Sequence, residues 1–317
     1  FFAVDKYYGK KDQLKDFIKA CHEQGIAVIL DMVMNHAFGL NSMVQLYRED
    51  YNDYGSAPTE ENPWFNTEAT HPFSVGFDFD HESTYTQALL DSVNRYWLEE
   101  YHFDGYRFDL SKGFTQTKNT DVGAWSAYDQ SRVDLLERMA NKIWAFDSEA
   151  YIILEHFAAD SEENALTGKG MLSWRNLVYN YYLPLGGHAT QTDFNGARAS
   201  THVAYMESHD EQRQIWEVQN STDWSGRTSG NYNTQATVVA LDRLKQNAAF
   251  IYLLPGPKML WQFGELGYDI DINENGRTGN KPLPWGTDGL GYYEDEERLK
   301  VYQAFAAIIN LRTSNSE

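Results

Sequence analysis

Four polar clusters in the chain combine carboxylates with arginine, asparagine or histidine, and each stands where an apolar run ends. Asp31, Asn35 and His36 follow Ile26–Leu30. Arg107 and Asp109 close the run that opens at Gly105. Glu155 follows Ile152-Ile153-Leu154, and His209 with Asp210 follows Val203–Met206. Catalytic groups of parallel barrels sit on the face where the strands end, supplied by several strands. A single carboxylate in such a place could equally cap the next helix. Four successive cases, each with partners, favour chemistry. Arg107 stands two residues before Asp109, so in a strand both side chains share a face. A guanidinium there would hold Asp109 ionised and oriented; a buried structural Arg–Asp bridge is the alternative.

The elements that must carry these clusters alternate along the chain. Leu14, Phe17, Ile18 and Cys21 recur at helical spacing over Lys11 to Gln24, and Gly25 closes that helix. Ile26–Leu30 is a β-branched-rich run, as expected for a strand buried on both faces. Helices are expected over Glu82–Tyr101, 131–146, Ala236–Tyr252 and Arg298–Arg312. Further strands are expected at Gly105–Leu110, Ala150–Leu154, Gly170–Trp174, His202–Met206 and Pro257–Trp261. This alternation predicts an α/β fold with a parallel sheet. Residues 37–81, with Pro58, Pro63 and Pro72, show no strong period and read as an inserted loop or small subdomain. No polar linker divides the 317 residues, so one large domain is expected.

Composition narrows the partners. With 26 Lys and Arg against 46 Asp and Glu, the formal charge is −20. That field repels phosphate backbones, which argues against nucleic acid and anionic membranes. No apolar stretch reaches membrane-spanning length. The single cysteine, Cys21, excludes an internal disulfide and a multi-cysteine metal site. Aromatic residues, 15% of the chain, suit stacking on sugar rings; Trp64 and Trp224 are the loop candidates. The chain opens Phe1-Phe2-Ala3 without an export signal, which reads as an internal start of a longer product.

Asp31-Met32-Val33-Met34-Asn35-His36, Gly105-Tyr106-Arg107-Phe108-Asp109, Glu155 and Ser208-His209-Asp210 together resemble, in order, the four signature segments of glycoside hydrolase family 13, the α-amylase family. The resemblance runs from about Tyr7 to Arg312. It implies a (β/α)8 TIM barrel and a retaining double displacement on α-1,4-linked glucan or malto-oligosaccharide. Asp109 would be the nucleophile and Glu155 the acid and then base. Their carboxyls should stand about 5–5.5 Å apart, in environments that separate their pKa values. Asp210 would bind hydroxyls of the −1 sugar with His209 and His36. Arg107 would orient Asp109, Asp31 would support from behind, and Lys112 would lie near the +1 or +2 sugar. In many relatives Asn35 and the carbonyl at Gly113 bind a structural Ca2+ with carboxylates from the inserted loop.

Against that pattern only six strands are counted. The first two strands, a stacking tyrosine upstream of Phe1, and the C-terminal β-domain are expected to be missing, and the chain by itself is expected to lack full activity. The relatives' usual setting is outer-surface, periplasmic or secreted. Asp271-x-Asn273-x-Asn275-Gly276 copies the start of an EF-hand loop, but its twelfth position is Pro282 rather than Glu; a polar turn explains it without metal. A transglycosylase, isomaltase-type glucosidase or trehalose-forming enzyme would keep the same acids. A non-catalytic glycan-binding relative would have lost them.

Overall fold

A computed structural model describes residues 1–73, 75–188, 194–223, 228–229 and 232–315. By contacts the chain divides into two compact units, Phe1–Trp174 and Arg175–Glu317.

The first unit is built on parallel strands in the order Ile29–Val33, Gly105–Asp109, Tyr151–Leu154 and Leu172–Asn176, the last running past the unit's boundary. Helices connect them, as parallel pairing requires. Lys11–Glu23 buries Ile18, and Gln13 Oε1 accepts from the Lys10 N–H at its start. Thr84–Tyr101 is capped by Ser83 and buries Leu90, Val93, Trp97 and Tyr101. Gln130–Trp144 is capped by Asp129, whose carboxylate accepts from the Ser131 and Arg132 N–H groups, and buries Val133, Leu136 and Ile143. These faces and the strand side chains Tyr106, Phe108, Ile152 and Leu154 share one core.

The first strand begins later than its sequence suggests. Ile26 is 56% exposed and lies before the strand, which starts at Ile29. The Ile26 N–H returns to the carbonyl of Cys21, and the Val28 N–H goes to the Asp104 carboxylate. Those bonds finish the helix and use the donors a strand would need. The expectation of burial on both faces is also corrected. Among the described residues this strand pairs only with Gly105–Asp109, and its Val33 is exposed.

Residues 37–81 have a small core of their own, Ala37, Val44, Phe65 and Phe79. His36–Ala37 pairs antiparallel with Phe77–Asp78, which ties the segment's two ends together.

In the second unit, His202–Tyr205 lies beside Leu177, whose N–H donates to the Tyr205 carbonyl at 3.0 Å. The strand expected at Pro257–Trp261 is reduced to a single parallel bridge, Ala204 to Lys258. Helices Val178–Leu185, Gln214–Asn220, Thr237–Tyr252 and Glu296–Ser314 pack Tyr181, Ile215, Leu244 and Phe305 into this unit's core. The short helices Asp160–Thr167, Val178–Leu185 and Gln214–Asn220 were not expected. Each is too short to display a helical period clearly.

Candidate active site

Strand register assembles the first part of the site. Parallel pairing sets Asp31 opposite Arg107 and Val33 opposite Asp109, and Phe108 opposite Leu154, directly before Glu155. Arg107 and Asp109, two apart, project from one face. The Arg107 Nη1 donates to Asp31 Oδ1 at 2.6 Å and to Asp109 Oδ1 at 3.0 Å. Its Nη2 forms an ion pair with Glu155 Oε2 at 2.8 Å, outside hydrogen-bond alignment. One buried guanidinium thus anchors three carboxylates. The Trp174 ring faces it, with the guanidinium carbon 4.2 Å from the ring centre. Burial works against the arginine's charge, but the charges of Glu155, Asp31 and Asp109 outweigh it and raise its pKa. Asp31 is 63% exposed at its side chain and reaches Arg107 from the neighbouring strand Ile29–Val33.

The residue after Asp109 adds a second hold. Leu110 adopts a left-handed backbone with φ 43° and ψ 44°, which costs a non-glycine residue about 1–2 kcal/mol. In that conformation its N–H donates to Glu155 Oε2 at 2.9 Å. Strain of this kind persists where the surroundings over-determine it. No periodicity or composition signal marks Leu110 in the sequence.

His36 is buried beside this group. Burial lowers its pKa, the Asp109 charge opposes that, His71 adds to the lowering and Asp78 opposes it. Lys112 is only 7% exposed, so it is not a surface lysine. Its ammonium donates to Ser126 Oγ and the Phe157 carbonyl, both at 3.0 Å, and stands 4.1 Å from the Trp125 ring centre.

Asn35 and Gly113 meet closely: a Cβ added to Gly113 would stand 1.9 Å from Asn35 Oδ1. That oxygen is buried with no hydrogen-bond partner. Asp78, opposite His36 in the antiparallel pair, presents a second buried carboxylate oxygen without a hydrogen bond, 3.4 Å from His71 Nε2. Buried oxygens normally find donors. Oxygens of this kind are the ligand type Ca2+ takes, about six to eight to an ion. Asp78 was recognisable beforehand only as one of several acids in the inserted segment.

The second unit carries the remaining expected residues. His209 Nε2 stands 3.5 Å from Asp210 Oδ2, and the Asp210 N–H donates to Ser208 Oγ. Arg277 donates to the His209 carbonyl at 2.7 Å, to the Asp210 carbonyl at 3.1 Å and to Asp210 Oδ1 at 3.0 Å. Ser208, His209, Arg213, Trp261, Arg277 and Lys281 are among the residues lining a cavity of about 180 Å3. The EF-hand-like stretch is a polar turn here. Asp271 Oδ1 accepts from the Asn273 N–H and Gln212 Nε2. The Lys281 ammonium donates to the carbonyls of Glu274, Gly276 and Gly279 at 2.7–2.9 Å. Of the loop aromatics, Trp64 packs among Tyr47 and Tyr85, and Trp224 lies outside the described residues.

A family model described as "Alpha amylase, catalytic domain" matches residues 1–298. Among curated proteins, the chain is 34% identical over 122 residues to a cyclomaltodextrinase of Geobacillus thermopakistaniensis, covering 35% of this chain and 20% of that protein. It is 27% identical over 283 residues to the 1,4-α-glucan branching enzyme GlgB of Geobacillus stearothermophilus, covering 84% and 40%. The chain therefore spans less than half the length of these relatives. Among solved structures, an Anoxybacillus α-amylase superimposes with a TM-score of 0.69 at 14% identity, covering 98% of this chain and 62% of that one. That likeness places the parallel-strand architecture in the (β/α)8 barrel class of the amylases.

Proposed function

Since the chain belongs to the α-amylase catalytic-domain family, glycoside hydrolase family 13, we propose that it carries the catalytic apparatus of a retaining α-glucan hydrolase that cleaves α-1,4 bonds of starch-like chains. The observation that carries this reading is the Arg107 fork, which sets Asp109 and Glu155 side by side on one guanidinium. In the first displacement the Asp109 carboxylate attacks the anomeric carbon. Glu155 gives its proton to the glycosidic oxygen, which leaves with the rest of the chain. Because Oε2 of Glu155 is engaged by the Leu110 N–H and Arg107, the proton is assigned to Oε1. In the second displacement Glu155 takes a proton from water, the water oxygen attacks the same carbon, and Asp109 departs as a carboxylate.

By their motif, Asp210, His209 and His36 are assigned to the −1 sugar. A structural Ca2+ is proposed on Asn35, Asp78 and the Gly113 carbonyl, where it would neutralise buried oxygen and fix the inserted segment. Its removal by chelator should lower the unfolding midpoint; an unchanged midpoint would dismiss the ion.

Asp109→Asn should retain binding of malto-oligosaccharide and lose turnover by at least about a thousandfold. Surviving turnover would refute the nucleophile assignment. A transferase is the second reading, favoured by the branching-enzyme relatives. Products longer than the substrate, formed from maltoheptaose, would select it.

A further inference from the structure

The turn Asp271–Lys281 is built around a lysine where its sequence copies a cation-binding loop. Asp271, Asn273 and Asn275 fall at the first, third and fifth positions of the EF-hand pattern, with Gly276 at the sixth. Here the chain supplies the cation itself. An ammonium has three N–H donors, and Lys281 gives them to the carbonyls of Glu274, Gly276 and Gly279 at 2.8, 2.7 and 2.9 Å. Asp271 Oδ1 is taken by the Asn273 N–H and by Gln212 Nε2, both at 2.8 Å. Asn275 Nδ2 crosses the turn to the Asn280 carbonyl at 3.0 Å.

Both ends of this turn are fastened within the second unit. Gln212, two residues on from Asp210, donates to Asp271 Oδ1 and accepts the Ile272 N–H at 2.9 Å. The Tyr268 hydroxyl donates to the Pro282 carbonyl at 2.6 Å. Between these ties the turn presents Arg277. Its Nη1 donates to the His209 carbonyl at 2.7 Å. Its Nη2 donates to the Asp210 carbonyl at 3.1 Å and to Asp210 Oδ1 at 3.0 Å. One guanidinium thus holds the main chain and the side chain of Asp210 together. The Asp210 side chain is about half exposed, so packing restrains its rotamer little and the planar fork supplies the restraint.

We infer that Asp271–Lys281 is a clamp for Asp210, in which the Lys281 ammonium replaces a bound metal as the organising cation and Arg277 is the positioning residue that fixes the carboxylate. The functional part rests on the assignment of Asp210 to the −1 sugar. With Oδ1 bonded to Arg277, the direction of Oδ2, 3.5 Å from His209 Nε2, is set before a sugar arrives.

Trypsin reads the clamp without any turnover. Arg277 is followed by Thr278 and can be cut, whereas Lys281 is followed by Pro282 and resists. Lys281→Met therefore removes the ammonium without removing a cleavage site. Cutting after Arg277 should speed up at least about tenfold in that variant, as three hydrogen bonds to a charged group are lost. An unchanged rate would overturn the clamp. With trypsin activity normalised on a chromogenic substrate, EDTA or CaCl2 should alter the parent's rate of cutting there by less than about twofold; clear protection by CaCl2 would put a metal in the turn and overturn the role of Lys281.

A double-mutant cycle reads the positioning. Arg277→Met should lower kcat/KM for α-maltosyl fluoride about 10- to 100-fold, the scale of a misplaced binding group. In an Asp210→Ala background the same change should cost less than about twofold, because the group it positions is gone. Equal losses in the two backgrounds, as a general structural role would give, or a parental rate for Arg277→Met would overturn the positioning role. If the parent turns over neither maltoheptaose nor the fluoride, the glucan-cleaving reading fails and cleavage alone decides the clamp. Asp210→Ala should speed the cut after Arg277 by about two- to fivefold, the scale of one exposed ion pair; no change there would overturn the hold on Asp210.

Discussion

Arg107 is the residue on which the first unit's acids depend. It bonds Asp31 and Asp109 and pairs with Glu155 while almost wholly buried. Removing one partner of such a group is far more costly than the pair's net worth, because the remaining charges stay buried. Arg107→Met should therefore lower stability by about 3–5 kcal/mol in denaturant titration. Arg107→Lys should keep the fold but lose at least about tenfold in turnover, since a point-like ammonium does not reproduce the planar fork. A lysine variant with parental turnover would show that charge alone suffices. At the same scale, His81 is fully buried against the Phe114 ring, and burial holds its pKa at about 4, with Asp78 opposing. The unfolded chain binds that proton near pH 6.5, so between about 6.5 and 4 it binds more protons than the folded state. Stability should be full above that window and fall by about 3 kcal/mol through it on acidification. His81→Gln should flatten this slope in denaturant titrations run across the window.

At the scale of elements, the acids are placed by how closely two strands approach. Gly105 has φ 148°, and a Cβ there would lie 2.2 Å from the Tyr151 carbonyl oxygen and 2.5 Å from its nitrogen. Those atoms are backbone and cannot step aside. Gly105→Ala should force apart the strands that carry Asp109 and Glu155, with a loss of about 2–4 kcal/mol. Activity should fall with it, and an alanine variant with a parental unfolding midpoint would contradict the close approach. The helices were largely legible, because Lys11–Glu23, Thr84–Tyr101 and Thr237–Tyr252 each repeat apolar residues over three turns or more. The start of the first strand was not. Apolar content at Ile26 reads as strand, yet its N–H closes the preceding helix, and hydrogen-bond destination has no compositional mark.

For the molecule as a whole, the net charge of −20 sets a field that opposes compaction. Raising ionic strength from about 0.01 to 0.15 M shortens the screening length from about 30 to 8 Å. Thermal midpoints should rise over that range; a fall would mean that favourable surface pairs outweigh the repulsion. The expectation of one large domain rested on the absence of a polar linker; by contacts the chain divides into two compact units whose sequence boundary, after Trp174, falls inside the strand Leu172–Asn176. A boundary inside a strand carries no linker composition to mark it.

The order of the acid-bearing segments, their attachment to strand ends, the helix faces and the excess negative charge were all determined by the sequence, because periodicity and residue type act locally. Only the tertiary structure decided that Arg107 engages three carboxylates rather than one, that Leu110 turns left-handed to meet Glu155, that Lys112 is enclosed, and that a lysine fills the carbonyl ring of the polar turn. The first three depend on groups that meet across tens of residues of chain, and the last on the path of a turn; distance through space is what a linear pattern does not encode.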